Sequence, residues 1–172
     1  MIEILKKRRS IRKYKDKTIE GDKVDKLIKA ALLSPTSRNL RPWSFIIVDD
    51  KNIIKKLSRA KDVGSEFLKG APLAILVLAD KELSDVWIED SSIASIVIQL
   101  TAETLGLGSC WIQIRERNHN ENLTAEDYIR DLFKLPANIK VESIIALGYP
   151  DEEKMPNKKE NLKYDKIYRN KF

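Results

Sequence analysis

Three arginines and a serine fall within five residues, Arg8-Arg9-Ser10-Ile11-Arg12. Guanidinium forks match phosphate oxygens bidentately, and a serine hydroxyl adds a neutral donor, so this set can hold a phosphate group. A solvated basic turn is the competing reading of the same residues. A second dense group of donors runs Ser34-Pro35-Thr36-Ser37-Arg38-Asn39-Leu40-Arg41-Pro42-Trp43. Two prolines stiffen it and a tryptophan closes it, and rigid polar loops of this kind are often binding loops. Hydrolytic machinery is poorly represented. The single histidine, His119, lies in the polar run Asn118-His119-Asn120-Glu121-Asn122, where a solvated side chain is expected. There is no Gly-x-Ser-x-Gly elbow and no Walker loop. Gly106-Leu107-Gly108 is a fragment of a dinucleotide fingerprint, but it ends a helix instead of opening one. The single cysteine, Cys110, rules out an internal disulfide, an iron–sulfur cluster and a multi-cysteine zinc site. Its place between Ser109 and Trp111 favours a buried structural role over a nucleophile. What remains is equipment for holding a cofactor that carries the chemistry itself.

The elements that position these residues are organised around Trp87 to Ile114. Ile93, Ile96, Val97, Leu100, Thr104 and Leu105 recur at helical spacing, and Ser92, Ser95, Ala94 and Ala102 keep much of the remainder small. Gly106 supplies the stop, because glycine takes the left-handed conformation without a Cβ penalty. Such a helix is about 28 Å long and needs enclosure on most sides, as a central core helix or one shared with a second subunit. Asp22 to Leu33 reads as an amphipathic helix with Asp22 as N-cap, ended by Ser34-Pro35. Ser44 to Val48, Leu73 to Ala79 and Val141 to Leu147 are apolar throughout, which predicts strands buried on both faces. Ser109 to Ile114 reads as a fourth strand. Asp49 or Asp50 caps a short helix with Ile53, Ile54 and Leu57, a further short helix ends near Lys69-Gly70, and Thr124 opens another through Phe133 with Asp127 completing an approximate capping box.

The 172 residues fit one domain, 1–172, with a proper core, and 42% hydrophobic against 34% charged residues is ordinary for a soluble globular chain. The formal charge of +6 suits an anionic ligand, but the basic residues are dispersed among acids. A nucleic-acid partner needs a basic face with groove-reading or aromatic elements, and neither is evident. Glu89, Asp90, Gln99 and Glu103 interrupt the longest apolar run, so no membrane span is expected. The start MIEILKKRRS lacks a signal-peptide core, and the chain reads as cytoplasmic. The charged tail, about residues 151–172, carries Leu162, Tyr164, Ile167, Tyr168 and Phe172 and needs a surface to lie on.

Four short segments, in order along nearly the whole chain, resemble the nitroreductase family of FMN-dependent oxidoreductases. They are Arg8 to Arg12, the loop Pro35 to Trp43, Gly106-Leu107-Gly108-Ser109-Cys110-Trp111-Ile112, and Gly148-Tyr149-Pro150 ahead of a basic tail. The resemblance implies an α+β fold with a central mixed or antiparallel sheet flanked by helices, and an intertwined homodimer with the long helix at its interface. It implies FMN as cofactor, bound between subunits. Arg8, Ser10 and, in the same basic segment, Arg9 and Arg12 would come from one subunit: Arg8 and Ser10 at the phosphate, Arg12 toward the flavin N1/O2 edge. Pro35, Thr36, Ser37 and Asn39 would come from the other and touch the ring system or ribityl chain. The backbone around Trp111, Ile112 and Gln113 would face the flavin, and Lys158 or Lys159 would serve as the basic phosphate ligand of the tail. The implied activity takes electrons from NADH or NADPH to a nitroaromatic, quinone or enone by a ping-pong scheme. A flavin-binding protein without redox turnover is the alternative. Arg41, where the family usually has glutamine, and Ile114, where a small residue often follows, depart from the pattern and bear on pocket shape and substrate class.

Overall fold

The computed structural model describes residues 1–172. Its centre is one four-stranded sheet in the order β1-β2-β4-β3, with β1 at Trp43–Val48, β2 at Leu73–Asp80, β3 at Gly108–Gln113 and β4 at Ile139–Gly148. All three pairings are antiparallel, and the only parallel contact nearby is the single bridge between Ser10 and Ser109. Helices cover both faces. Against one lie α2 (Gly21–Leu32) and α4 (Trp87–Thr104), with Leu27, Ala31, Ile98 and Ala102 packed on Ile75, Val77, Ile145 and Leu147. Against the other lie α3 (Lys51–Leu57) and α5 (Ala125–Phe133), with Ile54, Leu57 and Ile129 on Leu76, Ile144 and Ala146. Alternate side chains along β2 and β4 therefore enter different cores, which is why both central strands read as unbroken apolar runs. The remaining helix, α1 (Ile2–Lys7), is largely exposed.

Two expectations need correction. Strand β1 is not buried on both faces: it is an edge strand, only Val48 is fully buried, and Phe45, Ile46 and Ile47 are half-buried. Apolar content marks a surface that can be covered, not the layer that covers it. Asp22 does not cap α2. Glu20 occupies that position, and Asp22 lies in the first turn, paired with Lys26 at 3.2 Å. The long helix, expected as a core helix or one shared with a second subunit, turns its small and polar face to the sheet: Asp90, Ser91, Ala94, Ser95, Ile98, Gln99 and Ala102 are buried. Ile96, Val97 and Leu100 are half-buried and Ile93 is exposed, so much of the apolar stripe is not enclosed by its own chain.

The helix ends come out as their residues dictate. Beyond α4, Gly106 stands at φ +71°, with its N–H on Glu103 O and the Leu107 N–H on Ala102 O at 2.9 Å. This paired pattern satisfies terminal carbonyls that water would otherwise have to reach. Asp50 caps α3 by accepting from the Asn52 and Ile53 N–H groups, and Thr124 caps α5 by accepting from Asp127 N–H at 3.0 Å. No helix is long and apolar enough to cross a membrane.

One irregularity matters for the site. Val77 pairs with Ser143 but Leu78 pairs with Val141, so Glu142 is the extra residue of a β-bulge in β4. Bulges re-aim side chains. Here Ser143 meets Ser95 of α4 at 3.0 Å, while Glu142 also reaches α4, accepting from the Ser92 hydroxyl at 3.3 Å.

Candidate functional site

The arginine segment leaves α1 and lies along the start of β3. The Ile11 N–H donates to Ser109 O at 2.9 Å, and the segment then runs antiparallel to Tyr149–Asp151, with Lys15 N–H on Tyr149 O and Asp151 N–H on Lys13 O. Two glycines allow the approach. A Cβ on Gly108 would come within 2.9 Å of Ile11 side-chain carbons, and one on Gly148 within 2.6 Å of Pro72 Cδ and 2.8 Å of Tyr14 Cδ1. These are the glycines of the Gly-Ser-Cys and Gly-Tyr-Pro segments, and close packing of the arm accounts for both. Buried Tyr14 donates to Ile11 O, and burial drives its phenol far above the ordinary range.

The donors of this arm do not all serve one purpose. Arg9 donates to the Met155 carbonyl and so anchors the tail. Arg12 is exposed, its guanidinium 5.7 Å from the Phe67 ring centroid. The buried Cys110 thiol meets the Trp111 carbonyl at 3.6 Å, and Ser10 and the charges of Arg12, Lys154 and Arg8 act to lower its pKa. Burial still pushes the thiol up, so Cys110 is a structural group, as its sequence position suggested. Ser10 is bridged to Ser109 beside this thiol, and Lys154 reaches the arm through Glu152, which the Arg12 N–H also meets. Glu152 could oppose an anion there, but it is occupied by the Arg12 and Lys13 N–H groups and by Lys154 at 3.6 Å, and these hold its carboxyl below the ordinary range. Lys158 and Lys159 lie elsewhere, with Lys6 and Asn161 beside α1, where the Asn157 N–H donates to Lys6 O at 2.9 Å. Lys154 was not singled out from sequence. Its signal was only its place six residues after Gly148, in a tail already dense with lysine.

The second group is a strained loop. Arg38, Asn39 and Arg41 stand at φ +52°, +55° and +50°, and none is glycine. Left-handed backbone costs an L-residue about 1–2 kcal/mol each, so the surrounding contacts must hold it. Arg41 N–H donates to Thr36 Oγ1 at 3.0 Å and Arg41 Nε to Asn39 Oδ1 at 3.0 Å. Ser37 N–H donates to Asp90 Oδ1 at 2.8 Å, and Arg38 pairs with Asp85 at the surface. Pro35 and Asn39 are exposed, and Thr36 and Ser37 half-buried.

The third group is the outer edge of β3. Only Ser109 is bridged there, by Ser10, so the edge from Cys110 to Gln113 has no strand beside it. Ile112 is buried, while Trp111 and Gln113 are half-buried and locked together: Trp111 Nε1 donates to Gln113 Oε1 at 2.9 Å, and Gln113 Nε2 to Arg115 O at 3.0 Å. The Glu142 carbonyl accepts both the Ile114 and Arg115 N–H groups, setting how the strand ends. His119 stays partly exposed in its polar loop. Its Nδ1 meets Arg59 O at 2.8 Å and its ring stacks on Tyr128 at 4.2 Å, away from all three groups.

Register shows how these groups lie. Gly108 pairs with Gly148 at the arginine end, whereas Trp43 pairs with Ala79 and Asp80 with Ile139 at the loop end. The arginine arm is thus at one end of the β3 edge and the loop at the opposite end of the β1 edge. Eight residues of β2 at about 3.3 Å each, and four strands about 4.8 Å apart, separate them by more than 20 Å. One chain does not bring the two donor groups together.

The chain is thus an antiparallel α+β sandwich with an arginine-bearing arm along one strand edge and a polar loop at the far end of the opposite edge. Comparison with known proteins places it further. The sequence profile of the nitroreductase family matches residues 5–62 and 57–149. The solved structure of an FMN-dependent nitroreductase from Clostridium difficile R20291 is 55% identical, with a TM-score of 0.99 and complete coverage of both chains. An Archaeoglobus fulgidus protein, provisionally named NADH dehydrogenase/NAD(P)H nitroreductase, is 40% identical over 96% of this chain and 94% of its own. A Bacillus subtilis FMN reductase [NAD(P)H] is 28% identical over 87% of this chain and 66% of its own. The chain belongs to the nitroreductase family.

Proposed function

We propose that this protein is an FMN-dependent NAD(P)H oxidoreductase that works as a homodimer, with each cofactor site built from both subunits. The observation that carries this reading is the separation of the two donor groups within one chain. A second copy, docked on the uncovered stripe of Ile93, Ile96, Val97 and Leu100, can carry its loop to the β3 edge of the first. The exposed tail residues Leu162, Tyr164, Ile167, Tyr168 and Phe172 are assigned to the same interface, packed on the partner subunit.

The residues present fit FMN. Arg8, Ser10, Arg12 and Lys154 supply the positive and neutral donors for a phosphate, and the Glu152 carboxylate beside them is already spent on N–H groups and Lys154. Lys158 and Lys159 sit by α1 and would join this set only through rearrangement of the tail. The open edge at Trp111, Ile112 and Gln113 offers backbone groups to the ring system, and Pro35, Thr36, Ser37 and Asn39 of the second copy offer a preformed wall. Bound FMN supplies the redox chemistry, taking two electrons from NADH or NADPH and passing them to a small organic acceptor of the nitroaromatic, quinone or enone type. The chain's part is geometry and charge: donors fixed before binding cost no reorganisation when charge develops, and Arg12 places a permanent positive charge at the rim.

The visible spectrum of the purified protein, with steady-state oxidation of NADH and NADPH in the presence of menadione or a nitroaromatic, tests this. A yellow protein with turnover is expected. A yellow protein without turnover would instead fit a flavin carrier or sensor, and a colourless one that does not take up added FMN would overturn the assignment.

A further inference from the structure

Asp90 is among the most buried acidic side chains of the protein, 2% exposed, and it sits in the first turn of α4. Its oxygens are both used. Oδ1 accepts from the Ser37 N–H at 2.8 Å, and Oδ2 from the Ser84 hydroxyl at 3.2 Å; that hydroxyl in turn accepts the Val86 N–H at 3.3 Å. The carboxylate therefore joins three segments: the Pro35–Arg41 loop, the turn ahead of α4, and α4 itself. The start of a helix suits a buried negative charge, because unpaired N–H groups and the helix dipole face it.

We propose that Asp90 is the positioning residue for the binding loop. It holds the Ser37 N–H so that Arg38, Asn39 and Arg41 keep their left-handed backbone and present Thr36, Ser37 and Asn39 in one arrangement. The Thr36 and Asn39 bonds are internal and would move with the loop. The Arg38–Asp85 pair is solvent-exposed on both sides, and such pairs hold little. Of the side-chain contacts, only Asp90 ties the middle of the loop to the buried frame. A carboxylate accepts from both groups as they stand. Asparagine keeps one acceptor for Ser37 and must reverse the Ser84 bond, so it is a partial replacement; alanine keeps neither.

The inference that this arrangement serves a flavin rests on the reading given under Proposed function, and the test separates the two. Asp90→Ala and Asp90→Asn are compared with Thr124→Ala, which loses the distant cap of α5. In flavin-free protein, tryptic cleavage of the Arg38–Asn39 bond reports the loop alone. We expect Asp90→Ala to be cut there at least tenfold faster, Asp90→Asn two- to threefold faster, and Thr124→Ala at the wild-type rate. With flavin added, Asp90→Ala should raise the dissociation constants of FMN and riboflavin by the same factor of ten or more and shift the visible bands of the bound ring, because the loop faces the ring and not the phosphate. Asp90→Asn should recover most of that affinity. Unchanged cleavage at Arg38 in Asp90→Ala, or the same affinity loss in Thr124→Ala, overturns the proposal. Wild-type protein that binds neither FMN nor riboflavin defeats the flavin reading alone, while the cleavage rates still decide whether Asp90 holds the loop.

Discussion

Replacing Glu142 by glutamine is expected to stabilise the protein above the ordinary carboxylate range and to lose that gain as the pH falls. Glu142 is 3% exposed, its Oε1 accepts only from the Ser92 hydroxyl, and its Oε2 has no partner. Burial pushes its carboxyl up; the Ser92 bond and the Arg115 charge oppose this, and the Glu116 and Glu89 charges add to it. A carboxyl whose folded value is raised favours folding fully below its unfolded value, and that contribution is lost as the pH climbs through the folded value. Between those two limits the wild type loses up to about 1.4 kcal/mol per pH unit relative to a group that does not titrate. For a chain of this size each kcal/mol is worth about 2–4 °C in Tm. Thermal and urea unfolding of both proteins from pH 4 to pH 8 read this directly. Other acids, such as Glu20, held at about 2 by the Tyr149 hydroxyl, titrate alike in both proteins and cancel in the difference. A difference in stability that stays flat across the whole range would refute the reasoning, and would mean that the bulge leaves Glu142 as well solvated as a surface acid.

Arg8→Ala should weaken FMN binding by about 1.5–3 kcal/mol through loss of a charge-assisted phosphate contact and leave riboflavin nearly unaffected; equal losses for the two ligands, measured by fluorescence quenching, would place Arg8 elsewhere. Arg12→Gln keeps a donor but removes the charge, so the potential of bound FMN should fall by roughly 30 mV for each 1.4 kcal/mol of lost differential stabilisation; an unchanged potential in spectroelectrochemical titration would remove Arg12 from the redox role. Gly148→Ala forces a Cβ to within 2.6 Å of Pro72 Cδ and 2.8 Å of Tyr14 Cδ1, and should cost about 1–3 kcal/mol of stability by overpacking; a neutral effect in urea unfolding would mean the arginine arm is looser than its contacts indicate. Sedimentation should find a dimer with no folded monomer at micromolar concentration, since obligate interfaces bury roughly 2,000 Å² or more; a compact stable monomer would contradict the two-subunit site.

Much of the frame follows from local sequence. The strands β2 and β4, the caps at Asp50 and Thr124, and the stop at Gly106 rest on rules that act within a few residues, and the structure has them where those rules place them. The arginine segment and the proline-bounded loop were also legible as donor sets, because side-chain chemistry is written in the residue itself. Tertiary structure decided what those donors touch. Arg9 reads like its neighbours, yet it is spent on the tail carbonyl of Met155, 146 positions away, while Lys154 comes to the arm through Glu152, which accepts the Arg12 N–H. Asp90 looks like a flaw in an apolar helix until the Ser37 N–H is brought against it. The bulge at Glu142 depends on the register of β2 with β4 and has no local mark. The long helix makes the same point. Its periodicity located the apolar stripe, but close packing on the sheet selected the face of small residues, Ala94, Ser95 and Ala102, and left the stripe open. A residue's neighbours in sequence set the backbone it prefers; which distant group meets it is set by how the layers stack, and binding geometry is made of those distant meetings.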